Sequence, residues 1–153
     1  MTQPAPSLYR LFYRSRQTPV VVADLDFVVG QIIGSAIPRN RDVGLTGILL
    51  VAQGHFIQAL EGKIDAVRNT YARISLDPRH SDLHIISQAP AQQRLFSEWN
   101  MCASSLSPSD RAILDVLDGR CFKPNALTGA STQRLLTMVA DIQRRTALTA
   151  LIA

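Results

Sequence analysis

The residues best placed to do chemistry centre on Gln58, an amide in the middle of an apolar, strand-like segment at residues 55–60. Side chains alternate along a strand, so Gln58 shares a face with Phe56 and Leu60. A buried amide without a hydrogen-bond partner costs about 1–3 kcal/mol, so a polar group is expected opposite it. Tyr13, in an earlier strand-like segment, is the candidate partner. A phenol donates one hydrogen bond and an amide both donates and accepts, so the pair could connect to a heterocycle that carries both kinds of group.

The polar residues do not fit the common hydrolytic or metal sites. No cysteine or histidine pair has metal-ligand spacing, since His55, His80 and His84 are isolated from one another. The sequence contains no Walker-type loop, no GxGxxG after a strand and no nucleophile elbow. Glu61 stands beside Gly62 at a strand end, where a structural role is favoured over acid–base work. Hydrolysis and metal chemistry are therefore not indicated.

Composition and charge narrow the class of protein. A chain of 153 residues with 46% hydrophobic and 18% charged residues is typical of one soluble globular domain. No stretch approaches the ~20 apolar residues of a membrane span, and no secretory signal is present. With only two cysteines, these features predict a cytoplasmic protein without membrane contact. The net charge of +4 comes from scattered arginines, with Arg144-Arg145 the only adjacent pair, so nucleic-acid binding is disfavoured.

Hydrophobic periodicity supplies the elements that must position these side chains. In the first helix Pro38 is expected to end the helix, which leaves residues 39–42 as a loop. Gly30 and Gly34 leave a flat strip on that helix. Gln53-Gly54 is a turn signal between two strands. The predicted elements are a strand at 8–15, a helix at 25–36, strands at 46–52 and 55–60, a helix at 64–74, a strand at 83–87 and a fifth strand at 94–102 that carries Trp99 and Met101 on one face.

The order of these elements predicts the fold class. A β-α-β-β-α-β succession in which helices cross over between strands is the ferredoxin-like α+β sandwich, here with a fifth strand. The continuous apolar run at 48–51 implies burial on both faces of its strand. The ferredoxin-like core covers one face, so the C-terminal third of the chain is expected to cover the other.

Two helices are predicted in that C-terminal third. The first begins with Ser107 as cap and Pro108 at the first helical position, and it ends at Gly119. The second is marked by apolar residues at helical spacing, namely Leu135, Val139 and Ile142. The chain is thus expected to comprise a loose tail at 1–7, a main domain at 8–103 and a helical cap at 104–153.

On their own, these residues have a plain structural explanation. Tyr13 and Gln58 could be a satisfied core pair, and Asn40 a turn former. However, five motifs in order resemble those of the BLUF family, the blue-light receptors that use flavin. They are YRLFYRS at 9–15, Asn40 ahead of LTG at 45–47, GHFIQALEG at 54–62, DPRH at 77–80 and FSEWNM at 96–101.

The resemblance implies a flavin, FAD with FMN possible, held between the two helices of the sandwich. Asn40 is implied to bond the polar edge of the ring, and Arg79 to neutralise phosphate. The Gly30 and Gly34 strip is implied to lie close to the ring. The side chains implied to contact the flavin are Tyr13, Ile32, Asn40, Gln58, Ile64, Val67, Arg79 and His80.

The resemblance also implies a mechanism that turns over no substrate. Blue light would make the flavin an oxidant, Tyr13 would supply an electron and a proton, and Gln58 would rotate or change tautomer. Trp99 and Met101 would respond and pass the change along the last strand to the C-terminal helices. The family resemblance therefore implies a photoreceptor rather than an enzyme, with a downstream signalling protein as partner and a homo-oligomeric state.

Two other functions stay open at the level of sequence. The first is a ferredoxin-like hydrolase of small molecules or acyl phosphates, which would hold a phosphate with an arginine and an asparagine and need no chromophore. The second is a flavin-binding structural module that does not respond to light. An absorption spectrum separates the first from a photoreceptor, and illumination separates the second.

Overall fold

The structure, a computed structural model, describes residues 8–105 and 123–152. The predicted helix that begins at Ser107 lies outside the described residues. The elements are β1 Tyr9–Gln17, α1 Pro19–Ala23, α2 Leu25–Val43, β2 Thr46–Ala52, β3 His55–Gly62, α3 Ile64–Ser75, β4 His80–Pro90, β5 Ala103–Ser105, a 3-10 turn Pro124–Ala126 and α4 Gly129–Ile152.

The five strands form one sheet in the order β4-β1-β3-β2-β5. The pairs β1–β3, β1–β4 and β2–β3 are antiparallel, and β5 runs parallel to β2. Each of α2 and α3 connects two strands that are separated in the sheet by one other strand. This confirms the predicted ferredoxin-like α+β class with a fifth strand.

Two apolar cores lie on opposite faces of this sheet. One contains Tyr13 and Leu60 and packs against apolar residues of α2 and α3. The other contains Phe12 and Ile57 and packs against Leu136 of α4. Strand side chains alternate between faces, so neighbours such as Phe12 and Tyr13 enter different cores. All seven residues of β2 are buried, as its apolar run predicts.

The hairpin that presents Gln58 closes at a two-residue turn. Gln53 and Gly54 both have positive φ, 47° and 80°. Positive φ at both central positions is the requirement of a type I′ turn, whose twist matches that of the strands. The turn fixes the register of β2 against β3, in which Gln58 lies opposite Leu49.

The expectation that Pro38 ends the first helix is wrong. Helix α2 continues through Pro38 to Val43 and stops at Gly44, which has the left-handed conformation with φ 71°. Pro38 is exposed, so its ring faces solvent, and the residue it cannot bond to is Gly34. Packing of the helix against the core outweighs the local penalty of about 3 kcal/mol. As a result Asn40 lies on a helix and not in a turn.

The fifth strand is also shorter and later than predicted. The segment 94–102 is irregular, and only Ala103–Ser105 pairs with β2 in a ladder. Backbone groups in the segment are instead satisfied one at a time, for example Gly47 N to Trp99 O at 3.1 Å and Leu49 N to Cys102 O at 2.7 Å. The predicted strand at 83–87 lies inside the longer β4.

Candidate functional site

Tyr13 and Gln58 form a cross-strand pair at the centre of the sheet. They lie directly opposite each other in the β1–β3 register, and both are almost fully buried. The Tyr13 hydroxyl donates a hydrogen bond to Gln58 Oε1. Burial, with smaller contributions from Tyr71 and Asp77, raises the pKa of Tyr13 far above its usual value. The phenol therefore remains a donor at neutral pH, and the predicted contact is present.

The other end of the Gln58 amide contacts Met101. Gln58 Nε2 donates to Met101 Sδ at 3.2 Å, a long bond to a weak acceptor. Gly47 allows Met101 to approach, because a Cβ at Gly47 would lie 2.0 Å from Ala59 O and 3.2 Å from Met101 Cε. The amide is thus held by a strong partner on one side and a weak one on the other.

Gln58 and Tyr13 lie on the floor of a groove between α2 and α3. Its lining combines apolar side chains, two amides and three guanidinium groups, which suits a flat heterocycle with carbonyl groups and an attached phosphate. The lining residues are Tyr13, Ile32, Ser35, Ala36, Arg39, Asn40, Leu49, Phe56, Gln58, Leu60, Thr70, Arg73, Ile74, Asp77, Arg79 and His80.

Asn40 lines the groove from the last turns of α2 and is 3% exposed. Its Nδ2 donates to Asn100 O at 2.8 Å, and Asn100 Nδ2 donates to Leu45 O at 3.0 Å. Asn40 therefore binds the segment that carries Met101 as well as facing the groove. Its position is consistent with the predicted contact to a ring edge.

Arg79 and His80 reach the groove from the start of β4, but both already have protein partners. The Arg79 guanidinium bonds both oxygens of Asp77, with Nε at 2.9 and 3.0 Å. His80 bridges Ser15 Oγ and Ile74 O, each at 2.7 Å. These two residues fix the junction of β1, α3 and β4 at the groove.

Three parts of the predicted flavin contact lie elsewhere. Val67 is fully buried in the core beneath the groove, and Ile64 is 37% exposed at the start of α3. Helix α3 lines the groove with residues one to two turns later, at Thr70 and beyond. Gly30 and Gly34 are exposed, and a Cβ at either would meet nothing within 4 Å.

Trp99 and Met101 do not share a face, contrary to the prediction. Met101 is buried in the core on the groove side, whereas Trp99 packs against the core on the α4 side. The segment crosses the edge of the sheet between them because it is irregular and not a strand. Arg144 of α4 lies over the Trp99 ring, with its Cζ 5.3 Å from the ring centroid.

Two residues of this region were not predicted as parts of the site. Glu61, a charged residue in an apolar strand, accepts hydrogen bonds from the backbone of Leu95 and Phe96. Arg144 bonds both carboxylate oxygens of Glu98, at 2.6 and 3.1 Å, and Leu95 O at 3.0 Å. A charged residue in an apolar strand, such as Glu61, is a sequence signal from which a buried polar contact could be predicted. No sequence signal predicts the contacts of Arg144.

Within the described residues, no group of three or more His, Cys, Asp or Glu side chains could hold a metal ion. No helix in the same part of the chain is long and apolar enough to cross a membrane.

A ferredoxin-like sheet with a buried tyrosine–glutamine pair facing a groove defines a domain built to bind a flat cofactor. The family model described as "BLUF: Sensors of blue-light using FAD" matches residues 8–102, and the chain belongs to this family. The family is one of flavin-using light sensors, which favours a photoreceptor over the chromophore-free hydrolase.

Relatives and solved structures agree with the family. The chain is 41% identical over 101 residues to photoactivated adenylate cyclase subunit beta of Euglena gracilis, a match that covers 65% of this chain and 11% of that protein. The dark-state structure of BlrB, a BLUF protein, is 32% identical with a TM-score of 0.69, and the match covers 88% of this chain and 95% of BlrB. The photo-activated state of BlsA has a TM-score of 0.79 at 22% identity, covering 87% and 94% of the chains, which shows the fold.

Proposed function

We propose that this chain is a blue-light photoreceptor in which Tyr13 and Gln58 form a hydrogen-bond switch beside a bound flavin, FAD in the first instance and FMN as the alternative. The observation that carries the proposal is the hydrogen-bonded line from Tyr13 through Gln58 to Met101, of which Tyr13 and Gln58 line the groove. A buried amide held by one strong and one weak partner has two usable orientations. The roles of blue light and of a flavin are proposed from membership of the family.

The groove offers a distinct group for each part of a flavin. Ile32 and Ile74 form apolar walls, and the amides of Asn40 and Gln58 present donors and acceptors to a ring edge. Arg39, Arg73 and Arg79 supply cations for phosphate, of which Arg79 is shared with Asp77. His80 lines the groove and is a further proposed contact, whereas Ile64 and Val67 do not line it and stay proposed contacts on the family resemblance alone.

When bound and excited by blue light, a flavin supplies a strong one-electron oxidant. Tyr13, whose hydroxyl bonds Gln58 Oε1, would give up an electron and a proton and take both back once the amide has changed, so that no net oxidation remains. Gln58 then rotates or changes tautomer, which exchanges its donor and acceptor sides. In the new arrangement Gln58 Nε2 no longer donates a hydrogen bond to Met101 Sδ. This arrangement persists until the amide returns to its original orientation.

The change at Gln58 is passed along the segment 94–102. Met101 moves on the groove side when its contact with Gln58 changes. Trp99 then moves against Arg144 of α4 on the opposite face of the sheet. The proposed division of the chain follows from this route: a light-sensing domain at 8–103 and a helical output cap at 104–153. We further propose a cytoplasmic location, a homo-oligomeric state and a downstream signalling protein as partner.

One experiment tests the switch. The purified full chain is expected to show a flavin absorption band that moves to longer wavelength under blue light and recovers in darkness. Tyr13→Phe and Gln58→Ala should retain the flavin and lose the shift. Chromatography of the flavin released by heat distinguishes FAD from FMN.

Tyr9→Phe is the matched control, because Tyr9 lies on the same strand and face and bonds Gln88 Oε1 at 3.1 Å. It removes a phenol without touching the pair, so its light response should be native. A normal shift in Tyr13→Phe or Gln58→Ala contradicts the mechanism. Flavin without any light response in the native chain would identify a light-independent module.

A further inference from the structure

Glu61 is a fully buried carboxylate that the proposed switch does not use. Its Oε2 accepts from Arg10 Nε at 3.0 Å and from Leu95 N at 2.7 Å. Its Oε1 accepts from Thr46 Oγ1 and from Phe96 N, both at 3.0 Å. All four partners are donors, which is the environment of an ionised carboxylate. Such a group is tolerated in a core only with full hydrogen bonding.

The two backbone donors belong to the segment that ends on the switch. Leu95 and Phe96 begin it, and Met101 lies at its far end against Gln58. Arg94 also holds the start of the segment: its Nη1 donates to Thr46 Oγ1 at 2.8 Å and to Glu61 O at 3.2 Å. The segment has no continuous ladder: backbone bonds at Trp99 O and Cys102 O hold its far end, whereas its start is held by the side chain of Glu61.

One strand therefore holds both ends of the segment. Glu61 and Gln58 are three residues apart on β3, about 10 Å, and they face opposite sides of the sheet. Glu61 binds the start of the segment on one side, and Gln58 meets Met101 on the other. Met101 is buried in the groove-side core, so its side chain has little room to compensate for a displaced backbone and its sulfur moves with the segment.

We infer that Glu61 is a positioning residue of the switch, which fixes the start of the segment 94–102 so that Met101 Sδ lies on Gln58 Nε2. The inference rests on the proposed function for its consequence in the light response. The placement of Met101 does not, and it is measurable without light or flavin.

The test is Glu61→Gln, which keeps the size of the side chain. Its amide can still accept from Thr46 and Phe96, but its NH₂ faces Leu95 N–H, so two donors meet and the start of the segment is released. The chain has three methionines, so methyl NMR of labelled methionine is simple to read. The Met101 signal, assigned by its loss in Met101→Ala, should shift. An unmoved Met101 signal overturns the inference.

Kinetics supply the second readout. The Met101 contact belongs to the dark arrangement and is re-formed as Gln58 returns, so its loss should make dark recovery in Glu61→Gln roughly two- to tenfold slower, as in Met101→Ala. In the double variant the recovery should match Met101→Ala alone, because Glu61 acts through Met101. Native recovery in Glu61→Gln, or rates that multiply in the double variant, overturns the inference.

A milder change decides the matter if Glu61→Gln does not fold. Thr46→Val removes one donor from Glu61 and one acceptor from Arg94, at constant side-chain shape. It should move the Met101 signal and the recovery rate in the same direction by a smaller amount, and no change in either overturns the inference. If the native chain shows no light response, the proposed function fails by itself and the Met101 methyl shift alone decides the role of Glu61.

Discussion

At the scale of single residues, Asp77 and Arg79 form the most exposed charge pair of the groove. Arg79 Nη2 bonds Asp77 Oδ2 at 2.5 Å, and the two side chains are 36% and 25% exposed. Hydrogen bonds from Arg79 hold the pKa of Asp77 below its usual range. A phosphate that reaches Arg79 therefore meets a guanidinium that is already paired with a carboxylate. The pairing weakens the attraction between Arg79 and the phosphate, and it fixes the orientation of the guanidinium.

This pair predicts a pH dependence of stability. A lowered pKa in the folded state stabilises the protein above the usual pKa of 3.8, and the gain is lost as pH falls through the folded value. Asp77→Asn should therefore reduce the free energy of unfolding by about 0.5 kcal/mol at neutral pH, since solvent screens the pair. Urea denaturation should show this difference shrinking towards zero as the pH falls below the usual value of 3.8 and through the lower pKa of the folded state. A difference that is constant from neutral to acid pH would contradict the assignment to Asp77.

Which residues could be predicted from sequence depends on how local their constraint is. Gln58 and Tyr13 are predictable because strand alternation places them and a buried amide requires a partner. Met101 as the second partner is not, since a thioether carries no strong hydrogen-bonding signal. A structural role was expected for Glu61, but its partners could not be predicted, because they lie 34 and 35 residues away in an irregular segment.

At the scale of elements, the contact between α4 and the segment 94–102 is concentrated in Arg144. Its guanidinium bonds Glu98 and Leu95 O and covers the ring of Trp99. Hydrogen bonding to Arg144 lowers the pKa of Glu98, so the pair stays charged at neutral pH. This cluster is the proposed point at which a movement of the segment reaches the C-terminal helix.

Arg144→Met should weaken that contact while keeping an apolar side chain over the ring. We expect a loss of about 1 kcal/mol in the free energy of unfolding. Trp99 is the single tryptophan of the chain, so its emission should move to longer wavelength as the ring gains water. Arg134→Met is the control, because Arg134 is an exposed arginine on the same helix. Equal effects of the two changes would show that charge alone, and not the Trp99 contact, is responsible.

The elements themselves were predictable where periodicity is strong and not where tertiary contacts decide. The hairpin turn and the alternation along β1 follow from local sequence. Helix α2 passes Pro38 because its apolar face continues to pack and because Gly44 supplies a left-handed end six residues later. The fifth strand was placed too early because the apolar and aromatic residues of 94–102 are buried by an irregular path across the sheet edge, which alternation cannot reveal.

At the scale of the whole molecule, the sheet is a shared wall between two cores. Strand β2 is buried on both faces, so neither the groove side nor the α4 side can open without exposing its apolar residues. On the α4 side, Leu135, Leu136, Val139 and Ala140 complete the core. Helix α4 is thus part of the fold of the sheet that carries Gln58, which is the physical condition for a change at Gln58 to reach it.

A single core substitution in α4 tests whether the two sides unfold together. Leu136 is fully buried, so Leu136→Ala should lower the free energy of unfolding by about 3 kcal/mol. Leu76→Ala makes the same chemical change at a residue 84% exposed and should have little effect. If the sheet couples both cores, Trp99 emission and far-UV circular dichroism should shift to the same lower urea midpoint in Leu136→Ala. If α4 unfolds separately, Trp99 emission alone should move, while circular dichroism retains a second transition at the native midpoint. That outcome would remove the rigid connection on which transmission from Gln58 to α4 depends.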